Sequence, residues 1–123
     1  MRYLILIYSN PQSRAIWERL TDEQRIDFAR GHYGLSDELA ASGELIASEG
    51  LTDPSLGKGV SVRDGVTITS DGPYAEVKEY LAGFYLIECD TIEQAIEQAA
   101  RVPDAQWGQV EVRPVFDRSG LDL

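Results

Sequence analysis

The sequence predicts an α+β domain in which two strand–helix–strand units share one sheet and a β-hairpin is inserted between them. Three observations predict this class. Short aliphatic and aromatic runs are bounded by turn residues, two longer stretches carry apolar residues at helical spacing, and the two kinds alternate in a fixed order. A chain of 123 residues suits one domain with a real core, so residues 1–123 are read as a single unit.

"RYLILIY" (2–8), closed by Asn10-Pro11, reads as a buried strand. Alternate side chains face opposite ways, and here both sets, Tyr3/Ile5/Ile7 and Leu4/Leu6/Tyr8, are apolar. "QSRAIWERL" reads as a short turn of helix setting Trp17 and Leu20 against the core. Thr21 and Gln24 have capping-box spacing, and Asp22 and Glu23 suit the positive end of a helix. Phe28, His32, Leu35 and Leu39 form one stripe, and "ASG" (41–43) ends the helix with Gly43 as a left-handed cap. "ELIASEGL" (44–51) is a second strand. "VSVRDGVTIT" (60–69) alternates around Asp64-Gly65, a two-residue hairpin signal. "AGFYLIEC" (82–89) is a central strand. In "DTIEQAIEQAARV", Asp90 or Thr91 caps a helix that turns Ile92, Ala95, Ile96 and Ala99 inward. "WGQVEVRPVF" is the last strand, with Val110, Val112 and Pro114 on one face.

Without its hairpin, this order is the split βαββαβ pattern of ferredoxin-like domains. Two helices cover one face of such a sheet. Phe84 and Leu86 are as apolar as Tyr85, Ile87 and Cys89, so the second face needs a cover too. Another copy of the sheet is the simplest one, and a homodimer packed sheet to sheet is expected.

Composition excludes several function classes. The formal net charge is −10, and the eleven Lys and Arg residues are scattered, which argues against direct nucleic-acid binding. No apolar run approaches the roughly 20 residues of a membrane span, and the apolar start lacks a cleavage site, so no membrane association is expected. Cys89 is the single cysteine; the expected compartment is the reducing cytoplasm. One His and one Cys do not make a zinc site, "GKG" (57–59) is too short for a phosphate loop, and Gly-x-Ser-x-Gly is absent. No metal or cofactor is expected.

Two places carry candidate chemistry. In "TSDGPYAEVKEY", the Asp71 carboxylate cannot close a turn onto Pro73, which has no N–H. Asp71 either caps a short helix through 74–80, a reading that explains Asp71, Gly72 and Pro73 together, or serves an exposed cleft. Glu76, Lys78 and Glu79 either tune one another for acid–base work or form a solvated face, and spacing alone favours the face. His32, the single histidine, lies on the apolar stripe of its helix and needs a partner on at least one nitrogen. Asp37, Glu38, Asp71, Glu111 and a backbone carbonyl are the partners considered.

The strings "RYLILIY", "SGELIASEGL", "VRDG", "DGPYAEVKEYLAGFYLIE" and "VEVRPV" together resemble the YCII-related family, in the branch marked by an Asp-Gly-Pro-Phe motif. Here that motif is "DGPY", with Tyr74 in place of Phe, and the resemblance spans about residues 1 to 115. It implies a ferredoxin-like dimeric α/β barrel. It also implies a His and Asp proposed as a catalytic pair, for which His32 matches the His, while "ASG" with Ser42 stands where an acid is expected near the helix end. Members of the branch accompany extracytoplasmic-function sigma factors, which implies a bacterial setting and an accessory role.

The resulting expectation is a cytoplasmic homodimer that binds a small organic molecule in a cleft. Its chemistry, if any, is metal-independent acid–base transfer, with His32 as proton carrier and Asp71 orienting it or the ligand. Tyr74, Glu76, Lys78 and Glu79 would contact the ligand. The alternative is a non-enzymatic regulatory module linked to a sigma factor.

Overall fold

The computed structural model describes residues 1–72 and 78–120. Six strands, β1 (Arg2–Ser9), β2 (Leu45–Gly50), β3 (Lys58–Arg63), β4 (Val66–Asp71), β5 (Tyr80–Glu88) and β6 (Val110–Pro114), alternate with helices α1 (Pro11–Arg19), α2 (Asp22–Ser42) and α3 (Ile92–Ala99). Four strands form an antiparallel sheet in the order β2-β5-β1-β6, and β3 and β4 form a separate two-stranded sheet among the described residues. The central pair β1 and β5 comes from the two different strand–helix–strand units. The α+β class and the split order therefore match the expectation.

Local chemistry sets the element ends. Asn10 accepts from the Ser13 N–H and caps α1, with Pro11 in the first position, where a missing N–H costs nothing. Thr21 and Gln24 form the expected capping box of α2, Gly43 ends that helix at φ 81°, and Thr91 caps α3 through Gln94. Asp64 (φ 52°) and Gly65 (φ 78°) turn the β3–β4 hairpin with both central residues left-handed, as a two-residue turn that follows strand twist requires.

The core lies on one sheet face. Tyr3, Ile5 and Ile7 of β1 and Tyr85 and Ile87 of β5 meet Leu35 and Leu39 of α2, Ala95 and Ala99 of α3, and Val102. Ile5, Leu39, Ile87 and Val102 are the largest side chains fully withdrawn from solvent. Val110 and Val112 of β6 join them, as the alternation predicts. The other face carries Leu4, Phe84 and Leu86 in half-buried positions, with Leu6 buried among them.

Two expectations of burial are corrected. Ile96 is 52% exposed, because α3 rests on Ala95 and Ala99, whose small side chains bring its axis close and leave Ile96 at the flank. Trp17 is exposed at its outer edge and packs against Phe28 of α2 instead of the sheet core. The helix expected through 74–80 does not include its last residues: Lys78 and Glu79 are not helical, and Tyr80 opens β5. Tyr74 and Glu76 lie outside the described residues. No helix among the described residues is long and apolar enough to cross a membrane.

Candidate functional site

The site is built where α2, β5 and a short 3-10 helix, Pro103–Trp107, converge. Gly31 makes the convergence possible. A Cβ at that position would stand 2.8 Å from Cγ of Pro103, so only glycine lets the 3-10 helix lie this close to α2. The next residue along α2, His32, then reaches both neighbours. Its Nε2 is 2.6 Å from the Asp104 carboxylate and its Nδ1 is 2.7 Å from the Tyr85 hydroxyl. The side chains of His32 and Asp104 are 25% and 14% exposed.

This arrangement decides where the protons sit. An ionised carboxylate only accepts, so Nε2 carries the hydrogen toward Asp104, leaving the Nδ1 lone pair for the Tyr85 O–H. When the ring gains a second proton, Nδ1 donates instead. The Tyr85 hydroxyl can then donate to the carbonyl oxygen of His32, 3.3 Å away. Neither arrangement leaves an orphaned polar atom, which is the condition for burying a polar ring cheaply. Burial pushes the Tyr85 phenol above its ordinary value; a hydrogen bond from Ser36 opposes the rise and the nearby Asp104 charge adds to it. The phenol accordingly keeps its proton at neutral pH.

Aromatic packing fixes the imidazole plane. Phe28 meets His32 edge-on at 5.1 Å, stacks on Trp107 at 5.1 Å, and receives Trp17 edge-on at 5.3 Å. The Arg25 guanidinium lies 5.1 Å above Trp17 and its Nη2 donates to the Trp17 carbonyl. The His32 and Tyr85 rings are nearly parallel, 6° apart. A cleft of about 610 Å³ opens beside this pair, between α2 and the ends of β2 and β5. His32, Tyr85 and Asp104 all line it, as do the hydroxyl-bearing Tyr33, Ser36 and Ser48.

None of the acids considered as partners from the sequence pairs with His32. Asp71 ends β4 and forms an ion pair with Lys58 across the hairpin. Gly72, at φ 61°, follows it in the left-handed conformation expected there. Asp37 is exposed, and Glu38 pairs with Arg101. Glu111 accepts from the Tyr8 hydroxyl at 2.9 Å and pairs with Arg113. These contacts with Arg113 and Tyr8 hold the Glu111 carboxyl below its ordinary value. Lys78 is exposed, and Glu79 accepts a long hydrogen bond, 3.4 Å, from Asn10. The carboxylate that meets His32 is therefore Asp104, and Lys78 and Glu79 are not among the cleft-lining residues. Asp104 was missed because 72 residues separate it from His32. The one local signal was "PDAQW", where an acid follows proline at the start of a helical turn. Cys89, half-buried, has its thiol pushed up mainly by burial, in keeping with an inert core sulfur. Among the described residues, no group of three or more His, Cys, Asp or Glu gathers as a metal site.

Comparison with known proteins places this geometry in context. The model of the YCII-related domain matches residues 1–119. An uncharacterized protein of Rhizobium meliloti (strain 1021) is 31% identical over 117 residues, covering 94% of this chain and 92% of its own. Among solved structures, the fold is similar to 5-chloro-2-hydroxyhydroquinone dehydrochlorinase of Burkholderia phenoliruptrix, solved with 2,5-dihydroxybenzoquinone. That similarity has a TM-score of 0.53 at 17% identity and covers 94% of both chains.

The Gly31 contact yields paired substitutions. Gly31→Ala is expected to drive the 3-10 helix off α2, costing about 1–3 kcal/mol by overpacking. Gly34→Ala, whose Cβ would meet nothing within 4 Å, is expected to stabilise by up to about 1 kcal/mol through helix propensity. Equal effects in chemical denaturation would contradict the close packing at Pro103. Tyr85 yields a pH dependence. Its folded phenol lies above the unfolded value of about 10, so its contribution is full below that pH and is lost as pH rises through the folded value. Tyr85→Phe should flatten the alkaline decline in unfolding free energy, and parallel declines for the two proteins would refute the burial effect.

Proposed function

We infer the function from one premise: the chain belongs to the YCII-related family. The reading supported best is binding of a small organic molecule in the α2–β5 cleft, with acid–base chemistry carried by His32, Asp104 and Tyr85. One observation carries it. A single, partly buried imidazole has both nitrogens engaged, by a carboxylate on one side and a phenol on the other, at the wall of a cleft large enough for a small ligand. The dehydrochlorinase, at 17% identity, lends the fold alone, so the chemistry rests on this geometry.

The proton path follows from the hydrogen bonds. A ligand O–H or N–H set against the Tyr85 oxygen gives its proton to that oxygen while the phenolic proton moves to Nδ1 of His32. The imidazolium so formed is held by the Asp104 carboxylate, and the reverse movement returns the proton. One proton enters Tyr85 as one leaves, so the phenol carries no net charge through the exchange. Asp104 acts as a positioning residue: it holds the tautomer that leaves Nδ1 open to Tyr85.

The same reading includes a homodimer. Leu4, Leu6, Phe84 and Leu86 form an apolar strip on the sheet face opposite the helices. The hairpin adds a second motive: Val60, Val62 and Val66 are each more than 60% exposed on strands that, among the described residues, pair with one another alone. A two-stranded ribbon of this kind is marginal alone in water. A second copy laid on the strip would cover both.

Two measurements test the reading. Fragments that bind in the cleft should move the His32 and Tyr85 ring resonances in NMR spectra of the wild type, and His32→Ala should abolish any turnover of them while sparing binding. Binding without turnover in either protein would favour the non-enzymatic binding module. Light scattering at micromolar concentration should give twice the 13.7 kDa chain mass, falling to one chain in Phe84→Glu. A monomeric wild type would refute the dimer.

A further inference from the structure

The floor of the cleft is bare backbone. Gly50 of β2 stands directly opposite Gly83 of β5, and Ser48 stands opposite Tyr85 two residues along. Because alternate residues share a face, Gly50, Gly83 and Tyr85 all point toward α2. The two glycines differ in what they tolerate. A Cβ at Gly83 would lie 2.9 Å from the Glu49 carbonyl oxygen, so this position is closed to side chains by the backbone itself. A Cβ at Gly50 would meet nothing within 4 Å among the described residues. At the wall of a cleft, such a position leaves the strand surface open to a ligand.

The roof is the face of α2 bearing His32 and Ala29, so the space is a slot between a bare strip of sheet and a helix. Its charge is one-sided. Among the described residues, Asp104 and Glu49 are the acidic residues that line it, and neither Lys nor Arg does. Lys58 and Arg101 are engaged elsewhere, with Asp71 and Glu38.

We propose that the cleft selects a flat, uncharged ring compound carrying an exchangeable O–H or N–H, laid on the Gly50–Gly83 strip with that group at the Tyr85 hydroxyl, and that it rejects anions. The inference rests on the cleft reading above and adds to it the ligand class and the role of Gly50 as the residue that sets ligand thickness. A planar ring matches the slot because it offers a full face to the Gly50–Gly83 strip, where the paired strands carry no side chains. A puckered ring touches the same strip only at its protruding hydrogens, forfeiting dispersion contact. An anion would enter beside Asp104 with no Lys or Arg at the wall to offset the repulsion.

Three probes sharing one carbon skeleton test this: naphthol, decahydronaphthol and naphthoate, titrated into the full chain and followed by the His32 and Tyr85 ring signals. Naphthol is expected to bind about tenfold or more tightly than either of the others. Gly50→Leu is expected to lose naphthol binding while keeping the wild-type melting temperature, whereas Gly83→Ala is expected to lower that temperature. Naphthoate binding as tightly as naphthol overturns charge selection, and decahydronaphthol binding as tightly overturns the flat slot. Unaltered naphthol binding by a folded Gly50→Leu overturns the role of Gly50. Each of these leaves the cleft itself as a binding site. Failure of all three probes to move either ring signal at millimolar concentration overturns the cleft reading, and this inference falls with it.

Discussion

One imidazole ties three elements together. His32 projects from α2, reaches β5 through Tyr85, and reaches the 3-10 helix through Asp104. A partly buried ring must have its nitrogens satisfied, and here each is satisfied by a different element, so none can shift without orphaning a polar atom. Gly31 is the steric condition for the arrangement, since any side chain there would hold Pro103, and with it Asp104, out of range. The cleft inherits its shape from this pinning.

The packing around the pin separates structure from chemistry by position along α2. Leu35 and Leu39, toward the C-terminal end, are withdrawn into the core. Phe28 and His32, toward the N-terminal end, stand beside Trp17, Trp107 and open space. The register of the sheet changes at the same level: the β1–β5 pairing shifts between Ile7 and Tyr8. Bulges of this kind re-aim side chains at the rims of sheets. Helix and sheet part company near Gly50 and Gly83, and the cleft opens beside His32.

Much of the fold was legible because its signals are local. A cap needs only a side chain and an N–H two or three residues on, so Thr21, Thr91 and Gly43 declare their helix ends from the letters alone. Asp64-Gly65 declares the hairpin for the same reason. Ile96 misled because a helical stripe says which side chains align and not how far the neighbouring layer extends. At the site, His32 stood out as a polar group on an apolar stripe, while the acid sought near it lay far along the chain. Asp71 drew attention through a proline that denies it a turn partner, yet Lys58 lies across from it on the paired strand and takes its charge.

What the sequence determined by itself was the set of elements, their order, the apolar character of both sheet faces and the oddity of His32, because each follows from spacing, capping or composition within a few residues. What only the tertiary structure decided was the partnership: Asp104 and Tyr85 meeting His32, Gly50 facing Gly83, and Asp71 drawn to the hairpin. Those contacts join residues many turns apart, and their energies depend on the distances that chain packing sets, which no local pattern of letters encodes.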